Sequence, residues 1–319
     1  MADIQYDATA GRPLNSFEAY GIDAAARKNE DDLILDVHDL SVTLFTEDGA
    51  LPALSEVTFR MRRGETLAVV GESGCGKSMT SLSVMGLLPQ PPARIVGGSI
   101  DFEGTDLAKL SKDEMRAYRG NKIGMIFQEP MTSLNPVMRA GHQIREGILN
   151  HNPGMSKADA DARALEMIRL VGIPAPEKVF ASYPHELSGG MRQELRTSVM
   201  LITHDMGVVS EMADWVLVMY TGHVVEYSTA YEIFTNPKHP YTRGLIASIP
   251  DVGETTAETL YAIPGNVPML SDLPSGCPFN PRCPHAKDIC RCRRPAMEPA
   301  DGDENHVVAC WMFSDEWGE

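Results

Sequence analysis

Gly71 and Gly76 flank four residues and are followed at once by Lys77 and Ser78, in the string Gly71-Glu72-Ser73-Gly74-Cys75-Gly76-Lys77-Ser78. That order suits a polyphosphate. Glycines let a loop curl so that successive backbone N–H groups point inward, and a helix starting behind the loop adds its positive end. A lysine here reaches β- and γ-phosphates, and the Ser78 hydroxyl coordinates Mg²⁺. The string fills every fixed position of G-x-x-x-x-G-K-[ST], with Cys75 expected to contribute only its backbone. The second chemical grouping is sulfur. Of six cysteines, five (Cys277, Cys283, Cys290, Cys292 and Cys310) crowd into the last 43 residues. In a reducing compartment such clustering points to metal ligation; free buried thiols and, further off, disulfides are the other readings.

The surrounding pattern supplies elements to hold these groups. Thr66–Val70 is a continuous apolar run, the mark of a strand buried on both faces, and it leads into the glycine turn. Lys77–Leu88 then reads as a helix stopped by Pro89. Upstream, Leu33–Arg60 alternates apolar and polar residues, predicting short antiparallel strands. Downstream, Ile123–Phe127 is expected to be a short buried strand and Met138–Leu187 mainly helical, with Ser156 and Asp159 in a capping-box pattern. Val199–Thr203 and Trp215–Met219 read as two more core strands. Eight of the 22 prolines lie between Pro264 and Pro299, which excludes long helices and predicts a loop-built tail ordered by thiolate ligation rather than by a core. The domain reading is a polar leader over 1–32, a phosphate-binding domain over 33–235 with a helical subdomain at about 137–193, and an extension over 236–319.

Composition narrows the partners. With 28 basic against 44 acidic residues, the net charge of −16 repels nucleic acid and anionic headgroups, so nucleic acid is excluded as a partner and any membrane association runs through protein. No apolar run approaches the roughly 20 residues needed to span a bilayer. The first 32 residues lack a basic start followed by an apolar core, so no secretory signal is expected and the chain should stay in the cytoplasm.

Leu187-Ser188-Gly189-Gly190-Met191-Arg192-Gln193 resembles the signature sequence of ABC-transporter ATPases. In that family Ser188, Gly189 and Gly190 would close over ATP held on the opposite subunit, which implies a dimer of ATPases. Gln128, in Ile126-Phe127-Gln128-Glu129-Pro130, resembles the Q-loop glutamine that touches Mg²⁺. His204, in Leu201-Ile202-Thr203-His204-Asp205, resembles the switch histidine that hydrogen-bonds the γ-phosphate. Phe45 is placed to stack on adenine as an upstream aromatic does in the family, with core packing the equal alternative. Met131-Thr132-Ser133-Leu134-Asn135-Pro136 and His239-Pro240-Tyr241-Thr242 look like the oligopeptide and dipeptide importer branch, which also holds importers of nickel and other small solutes. Cys277, Cys283, Cys290 and Cys310, together with Gly276 and Arg282, match that branch's C-terminal pattern, where four thiolates are associated with a [4Fe–4S] cluster; Cys₄ also suits Zn²⁺. Cys292 has no matched role.

The resemblance runs from about Leu33 to Trp311. It implies an α/β, ABC-type P-loop ATPase with a parallel core sheet, an antiparallel β subdomain, a helical subdomain and a Cys/Pro-rich extension. Its cofactors are ATP and Mg²⁺. Its partners are a second ATPase subunit, two membrane permease subunits and, indirectly, a solute-binding protein, at the cytoplasmic face of the inner membrane.

One expected part has no counterpart in the chain. In the family several tens of residues separate signature from switch histidine, and they carry a strand ending in the Mg²⁺-binding Asp and then the general-base Glu. Here Gln193 and His204 are eleven positions apart, joined by Glu194-Leu195-Arg196-Thr197-Ser198, and no apolar run ending in Asp-Glu-Pro occurs elsewhere. The expectation is a core sheet short of one strand and a catalytic set reduced to His204. The alternatives are a hydrolysis-deficient subunit that lends its signature to a competent partner, or a redox module whose phosphate loop is vestigial.

Overall fold

A long antiparallel hairpin, β1 (Leu33–Thr46) and β2 (Gly49–Arg62), precedes the buried strand β3 (Thr66–Val70) and helix α1 (Lys77–Val84). The computed structural model describes residues 6–7, 12–13, 32–47, 49–127, 134–186, 198–249 and 261–318; the leader reading therefore lies almost wholly outside the described residues. Next come β4 (Ala93–Phe102), β5 (Thr105–Asp106), α2 (Lys112–Arg116), α3 (Ala140–His151), α4 (Lys157–Leu170) and α5 (Pro176–Ala181). The chain continues through β6 (Val199–Ile202), α6 (Met206–Met212), β7 (Trp215–Tyr220), β8 (His223–Thr229), α7 (Ala230–Thr235) and α8 (Pro240–Ala247). It closes with α9 (Asp288–Cys292), β9 (Glu298–Ala300) and β10 (Asp303–Val308). Two compact units result, one of Leu110–Arg196 and one of the residues on either side of it.

Besides a two-stranded pairing of Tyr6–Asp7 with Arg12–Pro13, the flanking unit holds two larger sheets among the described residues. The first is antiparallel, in the order β2-β1-β4-β5, and its alternation buries Leu35, Val37, Leu40 and Val42. The second has six strands in the order β9-β10-β8-β7-β3-β6. It is mixed, where a parallel sheet was expected. β3 pairs in parallel with β6 and β7, whereas β7–β8, β8–β10 and β10–β9 are antiparallel. The reason is local: Thr221 and Gly222, at φ 44° and 80°, make a two-residue turn between β7 and β8, and so tight a connection permits only antiparallel pairing. β3 and β7 form the centre, with Leu67 to Val70 and Val216 to Tyr220 essentially inaccessible to solvent.

Three local readings change. α1 ends at Val84, not Leu88, because Gly86 takes φ 59° and closes a Schellman motif: Leu87 N–H donates to Leu82 O at 2.8 Å and Gly86 N–H to Ser83 O at 3.0 Å. Ile123–Phe127 is no buried strand; Ile123 makes an isolated bridge to Arg119, and Ile126 is 89% exposed. β6 pairs as expected but lies at the sheet edge, half-buried.

The tail also differs from its loop-built expectation. β10 pairs with β8, and Phe279 packs on Tyr220 and Tyr241 in the core shared with Val216 and Ile233. Its order comes from the sheet and a buried carboxylate. Glu226, fully buried on β8, accepts from the N–H of Lys238 and His239 (2.7 and 2.8 Å) and from His306 Nε2 on β10 (2.7 Å).

In the other unit α3, α4 and α5 pack together, with Ala160, Ala164 and Ile168 forming the buried face of α4 and Arg145 of α3 paired with Asp161. Gly141 is required there: a Cβ would stand 2.2 Å from the Phe180 ring. Ser156 caps α4 by accepting from Asp159 N–H at 3.2 Å, but its hydroxyl also donates to the Asp159 carboxylate at 2.7 Å. The reciprocal capping box is instead Ser111 with Glu114 on α2, which the sequence reading passed over.

Candidate functional site

β3 delivers the chain to Gly71 at the carboxyl end of the parallel strands, where open α/β sheets bind ligands. Two glycines of the pattern are sterically enforced. A Cβ on Gly71 would lie 2.2 Å from Met219 O, and one on Gly76 would lie 2.7 Å from Leu54 Cδ2; both residues also have positive φ. Gly76 is the N-cap of α1, so Lys77 and Ser78 open that helix. Lys77 Nζ donates to Gly71 O at 2.7 Å and Glu72 O at 2.9 Å, which folds the ammonium over the loop. A phosphate oxygen, being charged, is a stronger acceptor than either carbonyl. Ser73, Gly74 and Ser78 face solvent.

Cys75 is anchored within the fold. Its carbonyl accepts from Gly222 N–H at 2.9 Å, tying the loop to the β7–β8 turn. Its side chain is fully buried and lies 3.6 Å from Lys77 Nζ. Burial pushes the thiol up, against the pull of the Lys77 ammonium, so it stays neutral at pH 7.

His204 emerges beside the same loop. Val69 pairs with Ile202 in parallel, Thr203 N–H donates to Val69 O at 3.4 Å, and His204 follows, exposed at the same end of the sheet. Asp205 behind it accepts from the N–H of Gly207 and Val208 and so caps α6. Phe45 is 49% exposed with the Arg94 guanidinium 5.5 Å over its ring, so the core-packing alternative does not hold. Gln128, Ser188, Gly189 and Gly190 lie outside the described residues.

Cys277, Cys283, Cys290 and Cys310 all line one cavity of about 20 Å³, whereas Cys292 is exposed. Every cysteine is a free thiol. Gly276 permits the fold: at φ 71°, a Cβ there would meet Cys290 O at 2.4 Å, and Cys277 N–H donates to that same carbonyl. Burial pushes the Cys277 thiol up to about 12, with the neighbouring thiolate charges adding, and Cys310 likewise up to about 11. The four converge on a common space, yet among the described residues no three His, Cys, Asp or Glu side chains stand close enough to hold an ion.

The sequence reading missed how the tail meets the loop. Arg282 donates to both carboxylate oxygens of Glu72, at 2.7 and 3.1 Å, and Glu72 N–H donates to Tyr241 Oη at 2.8 Å. Partners 210 positions apart leave no local signal.

The profile of the ABC transporter family matches residues 54–206, and that of the oligopeptide/dipeptide transporter C-terminal region matches 225–290. A probable peptide ABC transporter ATP-binding protein of Sinorhizobium fredii is 42% identical, covering 89% of this chain and 96% of the relative. The oligopeptide transport ATP-binding protein AppD of Bacillus subtilis is 40% identical over 90% of this chain and 98% of its own. The first alignment runs over 325 positions but uses 89% of 319 residues, about 284, leaving about 41 positions that face no residue here. Among solved structures, an ATP-binding cassette determined as a dimer in a post-hydrolysis state with ADP and phosphate has a TM-score of 0.52 at 19% identity, over 61% of this chain and 98% of its own.

Proposed function

The chain belongs to the ABC-transporter ATP-binding proteins of the oligopeptide and dipeptide branch, and from that premise we propose that it grips MgATP through Gly71–Ser78 but lacks the segment that hydrolyses it. Its function is that of the ATP-binding subunit for peptide import. The observation that carries the nucleotide reading is the loop itself: two glycines that tolerate no Cβ, then a lysine and an exposed serine opening a helix at the carboxyl end of parallel strands. Lys77→Ala is expected to weaken ATP roughly 10- to 100-fold, the worth of one charge-assisted hydrogen bond to a phosphate. Calorimetric titration checks this; equal affinity for both proteins would remove the reading and favour the redox-module alternative.

Three observations support the missing segment. About 41 positions of the first relative face no residue here. β6 lies at the sheet edge with Val199 36% exposed, although its composition suits a buried strand. Ile126 and Phe127, an apolar pair, lie outside any strand and face solvent. Loss of one strand beyond β6, together with its terminal carboxylates, accounts for all three. The same loss favours the reading in which this subunit binds ATP and lends Ser188, Gly189 and Gly190 to a hydrolytically competent partner. In that assembly it sits with a second ATPase subunit and two permeases at the cytoplasmic face of the inner membrane, served by a solute-binding protein. His204, Gln128 and Phe45 then contact the γ-phosphate, the metal and the adenine.

For the tail, Cys277, Cys283, Cys290 and Cys310 are the residues that would hold an iron–sulfur cluster, or Zn²⁺, at their common cavity. The raised thiols must shed protons to ligate, so loading is expected to weaken as pH falls. Protein purified without air should carry iron and visible absorbance, and Cys310→Ser should lose both. Zinc in colourless protein selects the other metal; metal-free protein refutes both.

A further inference from the structure

We propose that Arg282 is a positioning residue for nucleotide binding: from the tail, it neutralises the Glu72 carboxylate and holds it away from Lys77, so that the phosphate loop can accept a triphosphate. The proposal rests on the nucleotide reading of Gly71–Ser78. All five N–H groups of the guanidinium are engaged. Nε donates to Pro264 O at 2.9 Å, Nη1 to Glu72 Oε2 at 2.7 Å and Tyr220 Oη at 3.3 Å, and Nη2 to Glu72 Oε1 at 3.1 Å and Ile263 O at 3.3 Å. The side chain is 4% exposed, and the Tyr220 and Phe279 rings each lie 5.8 Å from its centre. So complete a set of partners fixes the fork in one orientation.

What it holds is the second residue of the loop. Every polar group of Glu72 is committed: the carboxylate to Arg282, the N–H to Tyr241 Oη, and the carbonyl to Lys77 Nζ, the ammonium that would reach the phosphates. Glu72 is thus a bracket between the tail and the loop. It is also a negative charge within a loop that must receive an anion, and Arg282 cancels that charge at hydrogen-bond distance. Truncating Arg282 frees the carboxylate from its only ion partner in the described structure and leaves it to repel the incoming phosphates and compete for Lys77. Removing the Glu72 charge as well should then restore affinity, which a purely architectural role would not do.

The test measures ATP binding by calorimetry to the full chain. Arg282→Ala should weaken ATP roughly tenfold or more, and the double variant Arg282→Ala with Glu72→Gln should return to within roughly threefold of wild type. Arg282→Lys keeps the charge without the fork and should fall between wild type and Arg282→Ala. Should Arg282→Ala fail to fold, Arg282→Lys with and without Glu72→Gln carries the same comparison. Unchanged affinity in the Arg282 variants, or a loss that Glu72→Gln does not recover, overturns the proposal while Lys77→Ala still supports the nucleotide reading. If wild type itself does not bind ATP, both fall together.

Discussion

ATP turnover by the isolated chain, measured as phosphate release at saturating MgATP, is expected to lie about 10²–10⁴-fold below that of the Bacillus relative assayed beside it. That range is the usual cost of losing a general base. On the proposed loss of a strand beyond β6, the metal forfeits a carboxylate at the same time. The groups proposed to bind are an enforced glycine loop, Lys77 and an exposed Ser78. Grafting the relative's intervening residues between Gln193 and His204 is expected to restore the rate. Among the described residues β6 is the last strand of its sheet, the side on which such a segment would pair. A native rate already equal to the relative's, or a folded graft that stays inert, would sink the account.

Stability is expected to drain away as pH falls from about 6.5 towards 4, because two histidines are buried in neutral form. His239 is almost wholly inaccessible; burial holds it down to about 4, and its Nδ1 accepts from Tyr241 N–H at 3.0 Å. His223 is held down to about 4 by burial, with the Arg294 charge adding. Both lie below the value of an unfolded histidine, so across that window the unfolded chain binds more protons than the folded one. Stability is therefore full above the unfolded value and is lost below it, at about 1.4 kcal/mol per pH unit for each histidine. Glu226 behaves differently. Burial would raise it, but hydrogen bonds from His306 and the N–H groups of Lys238 and His239 outweigh that and hold it low. Its contribution is present above the unfolded carboxylate value and disappears only as pH falls further, through its own depressed one. Urea midpoints at pH 7, 6 and 5 should drop in step; a level series would contradict the assignment of both histidines.

What could be read from sequence was local and contiguous. The phosphate string, the β1–β2 alternation and the apolar run of β3 each announce themselves within about a dozen residues, because glycine stereochemistry and strand period act over that range. The end of α1 was misplaced because Pro89 is the louder stop, yet Gly86 acts first by taking a left-handed conformation. Ile123–Phe127 failed for a different reason: apolar composition makes a strand only where a neighbouring strand receives it, and the described structure offers none. The mixed sheet turned on two residues, Thr221 and Gly222, whose turn overrode the family expectation. The Arg282–Glu72 bracket was invisible because no pattern in one dimension joins positions so far apart.

The insertion of Phe279 among Val216, Tyr220 and Tyr241, with β10 lying along β8, gives the polypeptide a single fate. A nonsense codon or a protease cut before Pro264 would strip the outer neighbour from β8 and leave a hole where the aromatic ring sat. The remaining residues would then keep a sheet and core that lack those contacts. Tests aimed at the cysteines alone therefore use point replacement, since truncation would also remove Phe279 and β10 from the core and sheet.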